Sequence, residues 1–133
     1  MPDDSRLIAP RTALKYSRFA ERLLAARPAL ADEIDRAEDQ PWRVDAMREF
    51  VAQPFGDDAA LASRLRELRA RVMLRLAARD LTGRAPLAEV VGTMTDLAEV
   101  AIGTALAYWT ARLEQQHGLP TAAHGARQAL SVV

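Results

Sequence analysis

Apolar residues recur at helical spacing along nearly the whole chain, and the pattern breaks where proline or glycine intervenes. Over residues 13–27 the apolar set is Leu14, Phe19, Leu23 and Leu24, with Thr12 placed to cap the helix they predict. Pro28 suits the first position of a second helix, reaching about residue 38. Pro41 opens a third, in which Val44, Met47, Phe50 and Val51 share one face. Gln53-Pro54-Phe55-Gly56 ends it, because proline disfavours helix in the residue before it and glycine accepts left-handed dihedrals.

Two long helices follow. The fourth starts near Asp57 or Asp58, either of which can accept a hydrogen bond from first-turn amides, and runs to about residue 81. Its Leu61, Leu65, Leu68, Val72 and Leu76 form a stripe as narrow as a bundle seam. Thr82-Gly83-Arg84 ends it, and Pro86 opens a fifth helix to about residue 117, stopped by Gly118 and Pro120. In this fifth helix Val91, Met94, Ala98, Ala101, Ala105 and Trp109 are expected on the packed side, the alanines letting a neighbouring backbone come close. A short turn between two long amphipathic helices makes them antiparallel, with the shorter helices covering the remaining apolar face. The predicted fold is all-α, a bundle of about five helices. It divides into a leader with three short helices (1–56), a long helical hairpin (57–128) and the opening of a strand (129–133). Ala129-Leu130-Ser131-Val132-Val133 is apolar and β-prone, and nothing else in the sequence offers it a partner strand, which reads as an interrupted protein.

Composition sharpens this picture in a few places. The formal net charge is zero, so no global field draws the chain to nucleic acid or an anionic membrane. There is no cysteine, which excludes disulfides, thiolate metal sites and cysteine nucleophiles and fits a reducing compartment. The start shows no basic segment followed by an apolar run, and no apolar run approaches the roughly 20 residues of a bilayer span. The expected location is the cytoplasm.

Candidate chemistry is sparse. His117 and His124 flank a Gly-Pro turn and lack the three- or four-residue spacing of a helical metal pair, so no metal ligands are assigned. Glu33 and Asp35, two apart on a helix, point to different sides and read as solvated surface. Arginines stand out. Arg64, Arg66, Arg69, Arg71, Arg75, Arg79 and Arg84 face only Glu67 and Asp80 within residues 64–84, while the next helix is acidic. Arg71, Arg75 and Arg79, four apart, form a ridge beside the leucine stripe. One reading makes them a contact for phosphate, nucleic acid or an acidic partner, since guanidinium binds oxyanions in a bidentate way. The other makes them a solvated face partly neutralised by the acidic neighbour. Trp109 is expected in the core, with Tyr108 at its boundary.

The stretch Leu65-Arg66-Glu67-Leu68-Arg69-Ala70-Arg71-Val72-Met73-Leu74-Arg75-Leu76-Ala77-Ala78-Arg79-Asp80-Leu81-Thr82-Gly83 resembles bifunctional glutamine synthetase adenylyltransferase/adenylyl-removing enzymes, in the segment preceding a nucleotidyltransferase domain. The similarity continues through Met94-Thr95-Asp96-Leu97-Ala98-Glu99, Ala107-Tyr108-Trp109 and His117-Gly118-Leu119-Pro120 to Leu130-Ser131-Val132-Val133, which is similar to the opening of the first catalytic strand. Ser17-Arg18-Phe19-Ala20 with Arg27-Pro28 is similar to the family's amino-terminal helices. The resemblance implies an enzyme that adds AMP to, and removes it from, a glutamine synthetase tyrosine, using Mg²⁺ and ATP, biased by a PII signalling protein and glutamine. In that family the next residues would be a Gly-rich turn and two aspartates one residue apart, facing the same way on a strand to hold Mg²⁺. No position here matches them, so no catalytic, cofactor-binding or metal residue is carried over. The expected role is a non-catalytic helical support for the adenylyl-removing half. The alternative is an autonomous helical adaptor that binds an acidic partner through Arg71, Arg75 and Arg79.

Overall fold

A computed structural model of the chain describes residues 8–37, 40–52 and 54–132. Residues 1–7 of the leader expected over 1–11, the Glu38 end of the second helix, Gln53 in the break and Val133 lie outside the described residues, and the leader's Pro10 and Arg11 are helical instead of loose. The described residues form six α-helices: α1 (Pro10–Ala13), continued by a 3₁₀ turn (Leu14–Tyr16), α2 (Arg18–Ala26), α3 (Ala29–Ala37), α4 (Val44–Phe50), α5 (Asp58–Leu81) and α6 (Leu87–His117).

Local chemistry sets the ends of the two long helices. Asp57 is extended and its Oδ1 accepts the Ala60 N–H at 2.7 Å, satisfying one of the first-turn donors of α5. Gly83, at φ +67°, turns the chain out of α5, and Gly118, at φ +83°, does the same after α6. Pro86 stands immediately before α6, with a φ of −67° already suited to helix entry.

α5 is the spine. One side of its C-terminal half carries Leu74 and Ala78 into a core with Leu14 of the 3₁₀ turn, Ala20 of α2, and Leu30 and Ile34 of α3. Its other side carries Leu68 and Val72 into a second core with Met47 and Val51 of the α4 segment and Leu97 and Val100 of α6. The leucine stripe is interior as expected: Leu61, Leu68, Val72 and Leu76 are buried, and Leu65 packs against the second core. Leu74 and Ala78, off that stripe, are buried as deeply, because α5 has neighbours on two sides.

Several expectations need correction. The first helix is two: Ser17 takes an extended conformation and its Oγ accepts the Ala20 N–H at 3.3 Å, so Ser17, not Thr12, caps α2. That break turns Phe19 outward, at 41% exposed. α4 begins at Val44, three residues after Pro41. Residues 129–132 form no strand, and the isolated bridge between Thr121 and Arg127 is the only β pairing among the described residues. An apolar run without a sheet edge beside it has nothing to pair with. α6, finally, is long and apolar enough by length and composition to cross a membrane, a property hidden in the sequence because Asp96 and Glu99, with Thr and Gly between them and the ends, interrupt the apolar run. One such helix is weak support for a membrane span, and α6 lays Thr93, Leu97 and Val100 against its neighbours as a core helix does.

Candidate functional site

The arginine ridge of α5 lies between the two cores, and its side chains are turned to internal partners. Arg71 donates from Nη1 to Glu33 Oε2 at 2.6 Å and from Nη2 to Glu67 Oε1 at 2.8 Å. Arg75 donates to Glu33 Oε1 at 3.2 Å and lies 4.7 Å from the Trp42 ring centroid, while Arg71 lies 5.4 Å from that of Phe50. Burial pushes the Arg75 guanidinium below its ordinary pKa; Glu33 opposes that shift, and Arg71 and Arg79 add to it. Arg79 holds Glu89 by two bonds, Nε to Oε1 at 2.6 Å and Nη2 to Oε2 at 3.0 Å, and also donates to the Arg84 carbonyl. The Arg84 and Ala85 amides donate to the Arg79 carbonyl. Arg79 therefore clamps the turn between α5 and α6.

Glu33 thus bridges Arg71 and Arg75 instead of lying on solvated surface; its partners are 38 and 42 residues away, beyond any local pattern. Asp35 does sit outside, 3.5 Å from Arg11. Ridge positions face neither open water, as the plain reading had it, nor an empty site: Arg75 and Arg79 are 13% and 9% exposed at their side chains. The exposed arginines of α5 are Arg66 and Arg69, which line a groove with Leu65, Met94, Leu97 and Ala98 between α5 and α6.

The open feature of the molecule is the outer side of α6. Its buried residues, Thr93, Leu97 and Val100, follow the four-then-three spacing of one helical face. Val91 and Ile102, on the opposite side, are 57% and 47% exposed. The set expected to pack (Val91, Met94, Ala98, Ala101, Ala105, Trp109) is centred roughly a third of a turn from the face that does, at about 100° per residue. Val91, Met94, Ala98 and Trp109 are consequently exposed, while Ala101 and Ala105 are half-buried. Tyr108 is half-buried, at the boundary where it was expected: its hydroxyl donates to Asp58 Oδ1 at 2.7 Å and accepts from Arg112 at 3.2 Å. The Asp58 hydrogen bond raises the Tyr108 pKa above its ordinary value.

Two open grooves occupy this outer side. The first, about 800 Å³, is lined by Val91, Met94, Ala98, Ile102 and Leu106, with Val132 at its edge. The second, about 710 Å³, continues toward the helix C-terminus past Leu113, with Ala129 and Leu130 along it. The tail reaches them by doubling back after Gly118, held by the Thr121–Arg127 bridge and by Arg127 on Glu114 at 2.9 Å. Among the described residues no three His, Cys, Asp or Glu side chains come together as a metal site requires.

Comparison with known proteins places these features in a family. A family model for glutamate-ammonia ligase adenylyltransferase matches residues 9–133. The bifunctional glutamine synthetase adenylyltransferase/adenylyl-removing enzymes of Burkholderia mallei and Burkholderia pseudomallei are each 45% identical to this chain over 140 residues, covering 100% of it and 15% of the relative. The enzyme of the same description from Aromatoleum aromaticum is 39% identical over 125 residues, covering 94% of this chain and 13% of its own length. The chain therefore spans about 15% of the length of the first curated relatives it matches. No solved structure matches.

Proposed function

This chain belongs to the glutamate-ammonia ligase adenylyltransferase family, and from that premise we propose that it is the helical, non-catalytic support of an enzyme that attaches AMP to glutamine synthetase and removes it. The outer side of α6 carries the reading. A helix packed along one face and left apolar along the other has the surface of a platform for another folded unit. The relatives named above carry both activities in their description and are several times longer, so the reaction is assigned to sequence beyond the matched portion. Mg²⁺ and ATP bind there. Glutamine synthetase is the substrate, a PII protein and glutamine set the direction, and the assembly works in the cytoplasm.

The contribution of this part is positional. A catalytic domain mounted on a rigid α5–α6 hairpin keeps its orientation, and orientation supplies a large share of transfer catalysis. The Arg79–Glu89 clamp and the Glu33 bridge hold the hairpin and the short helices as one body. The adaptor alternative draws no support from Arg71, Arg75 and Arg79, whose guanidinium groups are engaged by Glu33, Glu67 and Glu89. Incubation of the purified 133-residue chain with Mg·ATP and glutamine synthetase, and with the adenylylated form plus phosphate, should give no AMP transfer and no release. Measurable turnover in either direction overturns the proposal.

A further inference from the structure

We infer that the outer face of α6, with Arg66 and Arg69 at its flank, is the seat of the polypeptide that the longer relatives carry beyond the matched portion, and that this polypeptide meets it with an apolar strip edged by acidic side chains. The inference rests on the support reading above and names the surface through which that support acts.

Three observations select this occupant. The face is continuous: the two grooves share Gly103 and Leu106 and together run from Val90 to His117. The tail already begins to fill it, since Ala129 and Leu130 lie along the C-terminal groove and Val132 at the N-terminal one, so the backbone travels along the face antiparallel to α6. The rest of the relatives' chain is also large enough to cover it, this part being 15% of their length. Charge gives the partner its chemistry. Arg66 and Arg69 are exposed beside Met94 and Ala98, and neither makes an ion pair among the described residues. A second copy of this chain is the weaker occupant. It would have to displace the tail from the grooves and would bring further arginines toward the same edge.

The absence of cysteine makes a direct test available. Met94→Cys, Ile102→Cys and, as a control remote from α6, Tyr16→Cys are each made in two settings. One is the 133-residue chain; the other is a chimera in which this chain replaces the matched portion of the Burkholderia pseudomallei enzyme. Modification by a small thiol reagent is followed peptide by peptide, and adenylylation of glutamine synthetase is assayed in parallel. The expected result is rapid labelling of all three sites in the short chain. In the chimera, Met94→Cys and Ile102→Cys should label at least roughly tenfold more slowly, with Tyr16→Cys unchanged. Adding Ile102→Asp to the Met94→Cys chimera should restore labelling. Equal rates in an active chimera overturn the docking assignment and leave the support reading standing; an inactive chimera with equal rates removes both. Protection of Ile102→Cys in the short chain that grows with its concentration assigns the face to a second copy and also overturns the inference. Should the chimera not fold, hydroxyl-radical footprinting of the intact Burkholderia pseudomallei enzyme decides the matter. Side chains aligned with Met94, Ala98 and Ile102 should be protected, and oxidation at the rate of open surface residues refutes the proposal.

Discussion

α5 and α6 are neighbours in sequence, clamped at one end by Arg79 on Glu89, yet their surroundings differ. α5 has partners on two sides: the 3₁₀ turn, α2 and α3 cover Leu74 and Ala78, while α4 and α6 cover Leu68 and Val72. α6 has them on one, where α4 and α5 pack against Leu97 and Val100. Its far side keeps Val91, Met94, Ile102, Trp109 and Leu113 substantially exposed. Both helices are rich in apolar residues, so composition alone does not tell a finished spine from a surface awaiting its neighbour. The difference lies in which side chains already have something to touch.

Core substitutions should expose this contrast most strongly. Leu68→Ala and Leu74→Ala, one in each core, should each cost about 2–5 kcal/mol in denaturant melts, whereas Ile102→Ala on the outer face of α6 should stay within about 0.5 kcal/mol. Comparable losses at all three would mean that α6 is enclosed. Next comes the clamp. Glu89→Gln leaves the Arg79 guanidinium nearly buried without its carboxylate and should cost about 3 kcal/mol, while the double change Arg79→Met with Glu89→Leu should recover most of that loss. A double variant as unstable as the single one would show that the pair's geometry, not its charge balance, is what matters.

Smaller effects belong to the helix ends. Asp57→Ala removes the acceptor for the Ala60 N–H and should cost about 1 kcal/mol. At Tyr108 the raised pKa means that the phenol in the folded chain holds its proton to higher pH than in the unfolded chain. The unfolded state therefore loses that proton first, and the stability contributed by the Asp58 bond is complete below the ordinary tyrosine range and declines as pH rises through the folded value. Ultraviolet titration of Tyr108 in a Tyr16→Phe background should place its midpoint above the value measured in denaturant; coincident midpoints would mean that the Asp58 bond is not made.

Much of this architecture is legible along the chain. Asp57, Gly83, Pro86 and Gly118 mark the ends of α5 and α6 because capping and left-handed turns are local chemistry. The leucine stripe of α5 is legible for the same reason, its polar interruptions falling at fixed spacing. α6 hides its orientation, since Glu89, Asp96 and Glu99 mark one flank while apolar residues occupy a wide arc on the rest, wide enough to suit more than one packed face. Position 17 did carry a signal, a serine at the head of Arg18-Phe19-Ala20, outweighed by the apolar spacing that continues across it. Glu33 could not be paired with Arg71 and Arg75 from sequence, because the contact depends on how α3 crosses α5. In the sequence Arg66 and Arg69 are only members of a basic run, while the regular spacing of Arg71, Arg75 and Arg79 marks the arginines that fold inward.

Everything proposed for this chain depends on α6 being covered along one face and open along the other, and cysteine scanning of residues 91–102 in the 133-residue protein measures that directly. Fast thiol modification at positions 91, 98 and 102 with strong protection at 93, 97 and 100 is the predicted profile. Uniform rates around the helix, or protection at 91, 98 and 102 in the monomeric chain, would contradict it.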